Sequence, residues 1–185
     1  MLLKKLYLSK LISSIIASLL LGNIFISKPQ GEYTVKAVLI EKISSFVTWP
    51  QSTGIDNQNS PFIIGVYGDS NFLDVLRDIY SDKEILGKRV QIRKINNHSQ
   101  IDGCEILFIS KLPSQELKRL LVFLKGKPIL MVSDTEGYAA LGVHLNFYLE
   151  NNKVRFEINE KSVKESGLYM NHLLLSLAKI VTNQE

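Results

Sequence analysis

Polar residues follow three apolar segments of the sequence, and their positions are typical of a ligand-binding crevice. In open parallel sheets, ligands bind beyond the carboxyl ends of the strands, where helix N-termini present free N–H groups. We therefore predict a pocket for a small polar or anionic ligand at this edge. The alternative is that the same side chains only cap helices and turns. The predicted ligand-binding residues are Asp69, Ser70, Ser110, Lys111, Ser133 and Asp134.

The histidines and the single cysteine do not form a recognisable catalytic or metal-binding motif. His98, His144 and His172 lack the spacing of zinc ligands, and Cys104 is not part of a C-x-x-C pair. Cys104 with a remote histidine would form a nucleophilic pair, but a buried thiol at the start of a strand is the simpler interpretation. The sequence contains no P-loop, G-x-G-x-x-G or G-x-S-x-G motif. We predict no enzymatic activity, no catalytic residues, no metal site and no cofactor.

The basic charge of the chain is concentrated at its N-terminus. Four of the 22 basic residues and no acidic residue lie in residues 1–31, which leaves 18 basic against 18 acidic residues in the remainder. The part of the chain that folds therefore has no net positive charge. This balance argues against nucleic-acid binding, which requires a basic surface.

The first residues resemble an export signal. Lys4, Lys5 and Lys10 precede an uncharged, mostly apolar run, Leu11–Ile26, which is shorter than the roughly 20 residues needed to span a bilayer. We predict that residues 1–30 form a cleaved signal peptide or an uncleaved N-terminal anchor, and that the protein contacts the membrane only through this segment if it is uncleaved. The domain that follows, residues 31–185, is then periplasmic or otherwise extracytoplasmic. With Cys104 as its only cysteine, it has no intramolecular disulfide.

Predicted strands and helices alternate along the chain, and they would position the candidate residues. Apolar runs predict strands buried on both faces, and helical patterns lie between them, beginning with a helix from Glu32 to Trp49 that Pro50 ends. We predict an α/β fold: a single domain with a mostly parallel, mixed sheet and helices on both faces. The apolar runs are Pro61–Tyr67, Cys104–Ser110 and Pro128–Ser133.

The C-terminal part predicts a β-hairpin and a closing helix. Two strand-like segments flank Glu150-Asn151-Asn152, a hairpin connection. Ser162 and Glu165 have the spacing of a capping box, and Asn171 is a second candidate cap. The apolar stripe after Asn171 predicts a helix that packs on the sheet, with core residues Leu174, Leu177 and Ala178.

Five segments in order resemble the YfiR-like family of exported bacterial regulatory proteins. They are EYTVKAVLIEKISSFVTWP, FIIGVYGDSNF, CEILFIS, ILMVSD and VRFEINEKSVKESGLYMNHLLLSLA, and the resemblance covers Glu32–Val181. It implies an α/β domain at residues 31–185 that binds and regulates other proteins and is not an enzyme. The best-understood member is a periplasmic repressor that holds an inner-membrane diguanylate cyclase inactive, and other members are sensory regions of histidine kinases. Dimers are common in the family.

The sequence departs from the family pattern at two places. The founding repressor has two disulfides, whereas Cys104 stands alone here, so redox control through disulfides is not implied. Only Gly142 is present where the family usually has a Gly-Gly pair before the His144 strand.

We therefore expect an exported regulatory protein that contacts a membrane-bound signalling protein, a diguanylate cyclase or a histidine kinase, and that is able to form a homodimer. The alternative is a periplasmic sensor or carrier of a small ligand bound at the strand ends. Candidate partner surfaces are the loop after Trp49 and the segment Thr135–Leu141.

Overall fold

The computed structural model describes residues 30–183. The predicted export segment, residues 1–30, lies outside this range except for Gln30, at which the first helix begins. The helices are α1 (Gln30–Ser44), α2 (Phe72–Ile79), α3 (Ser114–Leu124), α4 (Glu160–Glu165) and α5 (His172–Leu177). The strands are β1 (Val47–Thr48), β2 (Phe62–Tyr67), β3 (Glu84–Ile85), β4 (Lys88–Ile95), β5 (Ile106–Ile109), β6 (Leu130–Ser133), β7 (Leu145–Glu150), β8 (Lys153–Ile158), β9 (Tyr169–Met170) and β10 (Lys179–Ile180).

A mixed, mostly parallel sheet forms the centre of the described fold. Its strand order is β10-β8-β7-β6-β5-β2-β4-β3. The pairs among β4, β2, β5, β6 and β7 are parallel, whereas β7 pairs with β8, and β3 with β4, in antiparallel fashion. The α/β fold with a mostly parallel sheet is therefore confirmed.

Helices cover both faces of this sheet, as predicted. The face of β2, β5 and β6 that carries Ile64, Phe108 and Val132 packs under α1, α2 and the C-terminal segment. The opposite face packs against α3 through Leu117 and Leu120. Because residues on the two faces alternate along each strand, the central strands are apolar at almost every position.

The predicted hairpin joins β7 to β8 through a two-residue turn. Asn151 and Asn152 have φ angles of 51° and 60°. Two consecutive left-handed residues are typical of a type I′ turn, whose twist matches that of the flanking strands, and asparagine tolerates this conformation better than most residues. The turn sets the register in which Glu150 pairs with Lys153.

The first helix is shorter than predicted. It ends at Ser44, and the chain then extends as β1, which pairs with β9. The hydroxyls of Ser44 and Ser45 donate hydrogen bonds to the carbonyls of Ile40 and Lys42, at 2.8 and 2.6 Å, within the last turn. Proline disfavours helical geometry in the residue before it, so the extended stretch ahead of Pro50 is also locally favoured.

The closing helix is also shorter than predicted, and one of its predicted core residues is wrong. Helix α5 ends at Leu177, and the chain continues as β10 along the open edge of β8. Leu174 is buried, Ala178 is partly buried, and Leu177 is exposed. A six-residue helix buries only one narrow stripe, and pairing with the edge of β8 draws the following residues out of the helix.

The predicted capping box at Ser162 is wrong, whereas the cap at Asn171 is confirmed. Helix α4 begins earlier, and the Asn159 side chain accepts a hydrogen bond from the Ser162 backbone N–H at 3.0 Å. The Asn171 side chain accepts one from the N–H of Leu173 at 2.9 Å. Asparagine and serine are about equally good N-caps, so spacing alone did not choose between Asn159 and Ser162.

Candidate functional site

Ser110, directly after β5, and Ser133, the last residue of β6, form hydrogen bonds within the sheet. Ser110 Oγ donates a hydrogen bond to the Tyr67 carbonyl at 2.6 Å, and Ser133 Oγ donates one to the Ile109 carbonyl at 2.7 Å. Both serines are buried. Each hydroxyl therefore links the carboxyl end of one strand to the adjacent strand through a hydrogen bond.

The residues that follow β2 and β5 also have local roles or are exposed. Ser70 Oγ accepts a hydrogen bond from the N–H of Phe72 at the start of α2, at 3.1 Å. Asp69 is fully exposed and forms an ion pair with Lys94 at 3.2 Å. Lys111 is exposed. The structure thus places these side chains at the predicted edge of the sheet without converging them on one pocket.

Asp134 differs from the other predicted residues because it belongs to a buried charge cluster. Lys36 of α1 lies with its Nζ 2.7 Å from Asp134 Oδ2 and 2.5 Å from Glu32 Oε1. The Lys36 side chain is only 3% exposed. Such burial is tolerated when the charge is paired and hydrogen-bonded, and the two carboxylates meet that requirement.

The electrostatic balance at Lys36 favours the charged form. Burial lowers the pKa of the ammonium, but the hydrogen bonds and charges of Asp134 and Glu32 outweigh it, so the net pKa lies above its ordinary value. Lys36 is therefore a permanent cation that ties α1 to the end of β6. Its charge is balanced by two carboxylates, which disfavours the binding of an anionic ligand at this point.

A cavity of about 520 Å³, here called the Asn146 cavity, opens beside this cluster. It lies where β7 extends past the end of β6, because β6 pairs with β7 only at Leu145 and Asn146. Its volume falls within the range of small-molecule pockets. Its walls are formed by Glu32, Lys36, Asp134, Glu136, Asn146, Phe147, Tyr148, Leu149, Glu157 and Lys179.

Of the predicted ligand-binding residues, Asp134 is the one that lines this cavity. Asn146 and Lys36 were missed by the sequence reasoning. A signal was present for each: Asn146 interrupts an otherwise apolar strand, and Lys36 lies on the apolar face of α1, one turn before Ile40. A polar side chain at a core position requires a partner, and this requirement points to the cavity.

Cys104 and His144, the remaining candidates for chemistry, are each buried in the core. Burial raises the pKa of the Cys104 thiol to about 11 and lowers the pKa of His144 to about 3. A thiol with a raised pKa is a poor nucleophile at neutral pH, and a neutral imidazole without solvent access is a poor proton carrier. Within residues 30–183 no group of three or more His, Cys, Asp and Glu side chains is arranged to hold a metal ion.

No helix between residues 30 and 183 combines the length and the apolar composition that crossing a bilayer requires.

A family model described as YfiR/HmsC-like matches residues 33–179, which is most of the chain. The match confirms the family resemblance of the five sequence segments. Among curated proteins, none matches this chain.

Proposed function

The chain belongs to the YfiR/HmsC-like family, and we propose that it is an exported, periplasmic protein that controls a membrane-bound signalling protein by direct contact. The family consists of regulatory proteins of the cyclic di-GMP signalling system rather than enzymes. The partner we propose is the extracytoplasmic region of a diguanylate cyclase, with a histidine kinase as the other class. Residues 1–30 would direct export.

One structural observation supports a role in protein contact. The C-terminal segment exposes large apolar side chains that the fold leaves uncovered, here called the C-terminal apolar surface: Tyr169, Leu173, Leu177 and Ile180. Leu173 and Leu177 lie one helical turn apart and so face the same side of α5. Neighbouring apolar side chains that remain exposed to solvent are typical of interaction sites.

This surface rests on a rigid support. Leu174 of the same helix is buried in the core. The backbone N–H of Asn171 donates to the Phe46 carbonyl at 2.9 Å, next to the pairing of β9 with β1. The exposed leucines are therefore held in place before a partner binds, which reduces the entropy that binding costs.

The experiment compares two substitutions of equally exposed residues. Leu177 is 74% exposed on α5, and Val122 is 77% exposed on α3, on the opposite face of the sheet. Leu177→Glu places a charge on the C-terminal apolar surface, whereas Val122→Glu places the same charge far from it. Neither change disturbs the core, so both variants should fold.

The readouts are in-cell cross-linking of envelope proteins and the intracellular concentration of cyclic di-GMP. We expect the wild-type protein and Val122→Glu to cross-link to a transmembrane signalling protein and to change the cyclic di-GMP concentration. For Leu177→Glu we expect at least about a tenfold loss of complex, since an unpaired charge inside a desolvated contact costs about 2 kcal/mol or more. Recovery of no signalling protein by the wild type would refute the proposed function. Equal behaviour of the two variants would refute the proposed surface.

A further inference from the structure

The carboxamide of Asn146 has an unmet hydrogen-bonding requirement. Among the buried side-chain nitrogen and oxygen atoms that the structure describes, its Oδ1 is the one without a partner, and the residue as a whole is only 1% exposed. Buried polar atoms in native proteins almost always have a partner, and an exception calls for an explanation such as a bound molecule.

The orientation of this amide is set by its neighbours. Nδ2 donates to Glu157 Oε1 at 3.4 Å and to the Phe147 carbonyl at 3.5 Å. Turning the amide over would place Oδ1 against the Glu157 carboxylate and the Phe147 carbonyl, which accept hydrogen bonds and do not donate them. The unpartnered atom is therefore an acceptor, and what it lacks is a donor.

The walls of the Asn146 cavity carry an excess of negative charge. Four carboxylates and two ammonium groups line it. Lys36 is occupied by Glu32 and Asp134, and Glu136 is exposed and forms no ion pair with another described residue. These charges attract a cation and disfavour an anion.

Lys179 shows where a cation fits. Its Nζ lies 3.5 Å from Glu157 Oε2 and 5.8 Å from the centre of the Tyr148 ring, which is the range of a cation–π contact. The Lys179 side chain is 64% exposed, so a bound cation is able to displace it into solvent at little cost. Glu157 and Tyr148 therefore form a place for an ammonium group in the same cavity as the Asn146 carboxamide, whose Nδ2 donates to the other oxygen of Glu157.

We propose that the Asn146 cavity binds a compact organic cation that carries N–H donors, such as a primary ammonium or a guanidinium group. An N–H donor meets the requirement of Asn146 Oδ1, the charge is held by Glu157 and Glu136, and the aliphatic part of the ligand packs against Tyr148 and Leu149. The lining of this cavity does not include the four residues of the C-terminal apolar surface, and the existence of the site does not depend on the proposed partner.

The test is isothermal titration calorimetry on the full-length protein with two cations. Agmatine carries a guanidinium and a primary ammonium group, whereas tetramethylene-bis(trimethylammonium) carries the same two positive charges on a four-carbon chain without an N–H donor. We expect agmatine to bind and the bis-quaternary cation to bind at least about tenfold more weakly, because a hydrogen bond from a charged donor is worth about a factor of ten. Equal binding of the two cations, or no heat with agmatine at millimolar concentration, would overturn the proposal.

Single substitutions test whether agmatine binds in the Asn146 cavity. Asn146→Leu removes the acceptor at similar size and should weaken agmatine binding about tenfold. Glu136→Gln changes an exposed residue, so the protein stays folded, and it should weaken binding about threefold, as expected for one partly screened charge. Glu165→Gln, an exposed substitution outside this cavity, is the matched control and should leave binding unchanged. Unchanged binding in Glu136→Gln, or in a folded Asn146→Leu, would show that agmatine binds elsewhere and would refute this site.

Discussion

The buried imidazole of His144 gives the protein a dependence of stability on pH that one substitution should remove. His144 lies just before β7 and is 1% exposed. Its Nδ1 accepts a hydrogen bond from the backbone N–H of Met131 at 3.1 Å, so the neutral ring carries its proton on Nε2. Protonation would place an unsolvated charge in the core and would break this hydrogen bond.

The size of the effect follows from the difference between the folded and unfolded pKa. Burial lowers the pKa of His144 to about 3, against a smaller upward effect of the Ser162 backbone. The unfolded value is about 6.5. Between these values the unfolded chain binds a proton that the folded protein does not bind, so stability falls as pH falls below about 6.5. Between about pH 7 and about pH 5 the loss from this residue is about 2 kcal/mol.

The assay is urea unfolding followed by circular dichroism at these two pH values, for the wild type and for His144→Asn. Asparagine Oδ1 occupies about the same position as histidine Nδ1, so the variant keeps an acceptor for Met131 but has no group that titrates. We expect the wild type to lose about 2 kcal/mol more than the variant on acidification. The variant is less stable overall because the smaller side chain leaves a cavity, but that loss does not depend on pH.

Because the loss of stability of the variant is subtracted from that of the wild type, the contributions of the other titrating groups cancel. His172→Asn, which removes an exposed histidine, is the matched control for the loss of an imidazole. Equal losses of stability in the wild type and in His144→Asn would refute the reasoning, since they would mean that the buried ring does not resist protonation.

Two further predictions concern the C-terminal helix and the thiol. Leu174→Ala should lower the free energy of unfolding by about 3 kcal/mol because it leaves a cavity in the core, whereas Leu177→Ser, at an exposed position of the same helix, should change it by less than about 0.5 kcal/mol. Urea unfolding measures both, and comparable losses would contradict the placement of Leu177 outside the core. Cys104 should resist iodoacetamide near pH 8 in the folded protein and react in urea, because burial raises its pKa to about 11 and blocks access. Rapid labelling of the native protein would show that the thiol is accessible.

The central strands were predictable because their signal is local. A strand buried on both faces is apolar at nearly every position, so β2, β5 and β6 stand out as short apolar runs. The helices between them, α2 and α3, follow from their spacing. Two features were not predictable: the end of α1, and the strand β10 in place of the last residues of the predicted closing helix. Both depend on pairing with strands elsewhere in the sequence.

The candidate site was predictable only in part. Asp134 follows a buried strand, and the rule for the carboxyl ends of parallel strands selected it. The same rule selected Ser110 and Ser133, whose hydroxyls the sheet uses for its own hydrogen bonds. Whether a polar residue at a strand end faces a cavity or a neighbouring carbonyl depends on the stagger of the strands, which the sequence does not display.

Residue patterns within short segments are sufficient to identify the family, the α/β class and the two-sided core. Which polar residues meet depends instead on the tertiary structure. Lys36, Asp134 and Asn146 come from distant segments, and they line one cavity because β7 extends beyond β6 and α1 crosses that end of the sheet. The need of a buried charge or amide for a partner is a property of each residue, but the identity of the partner is a property of the fold.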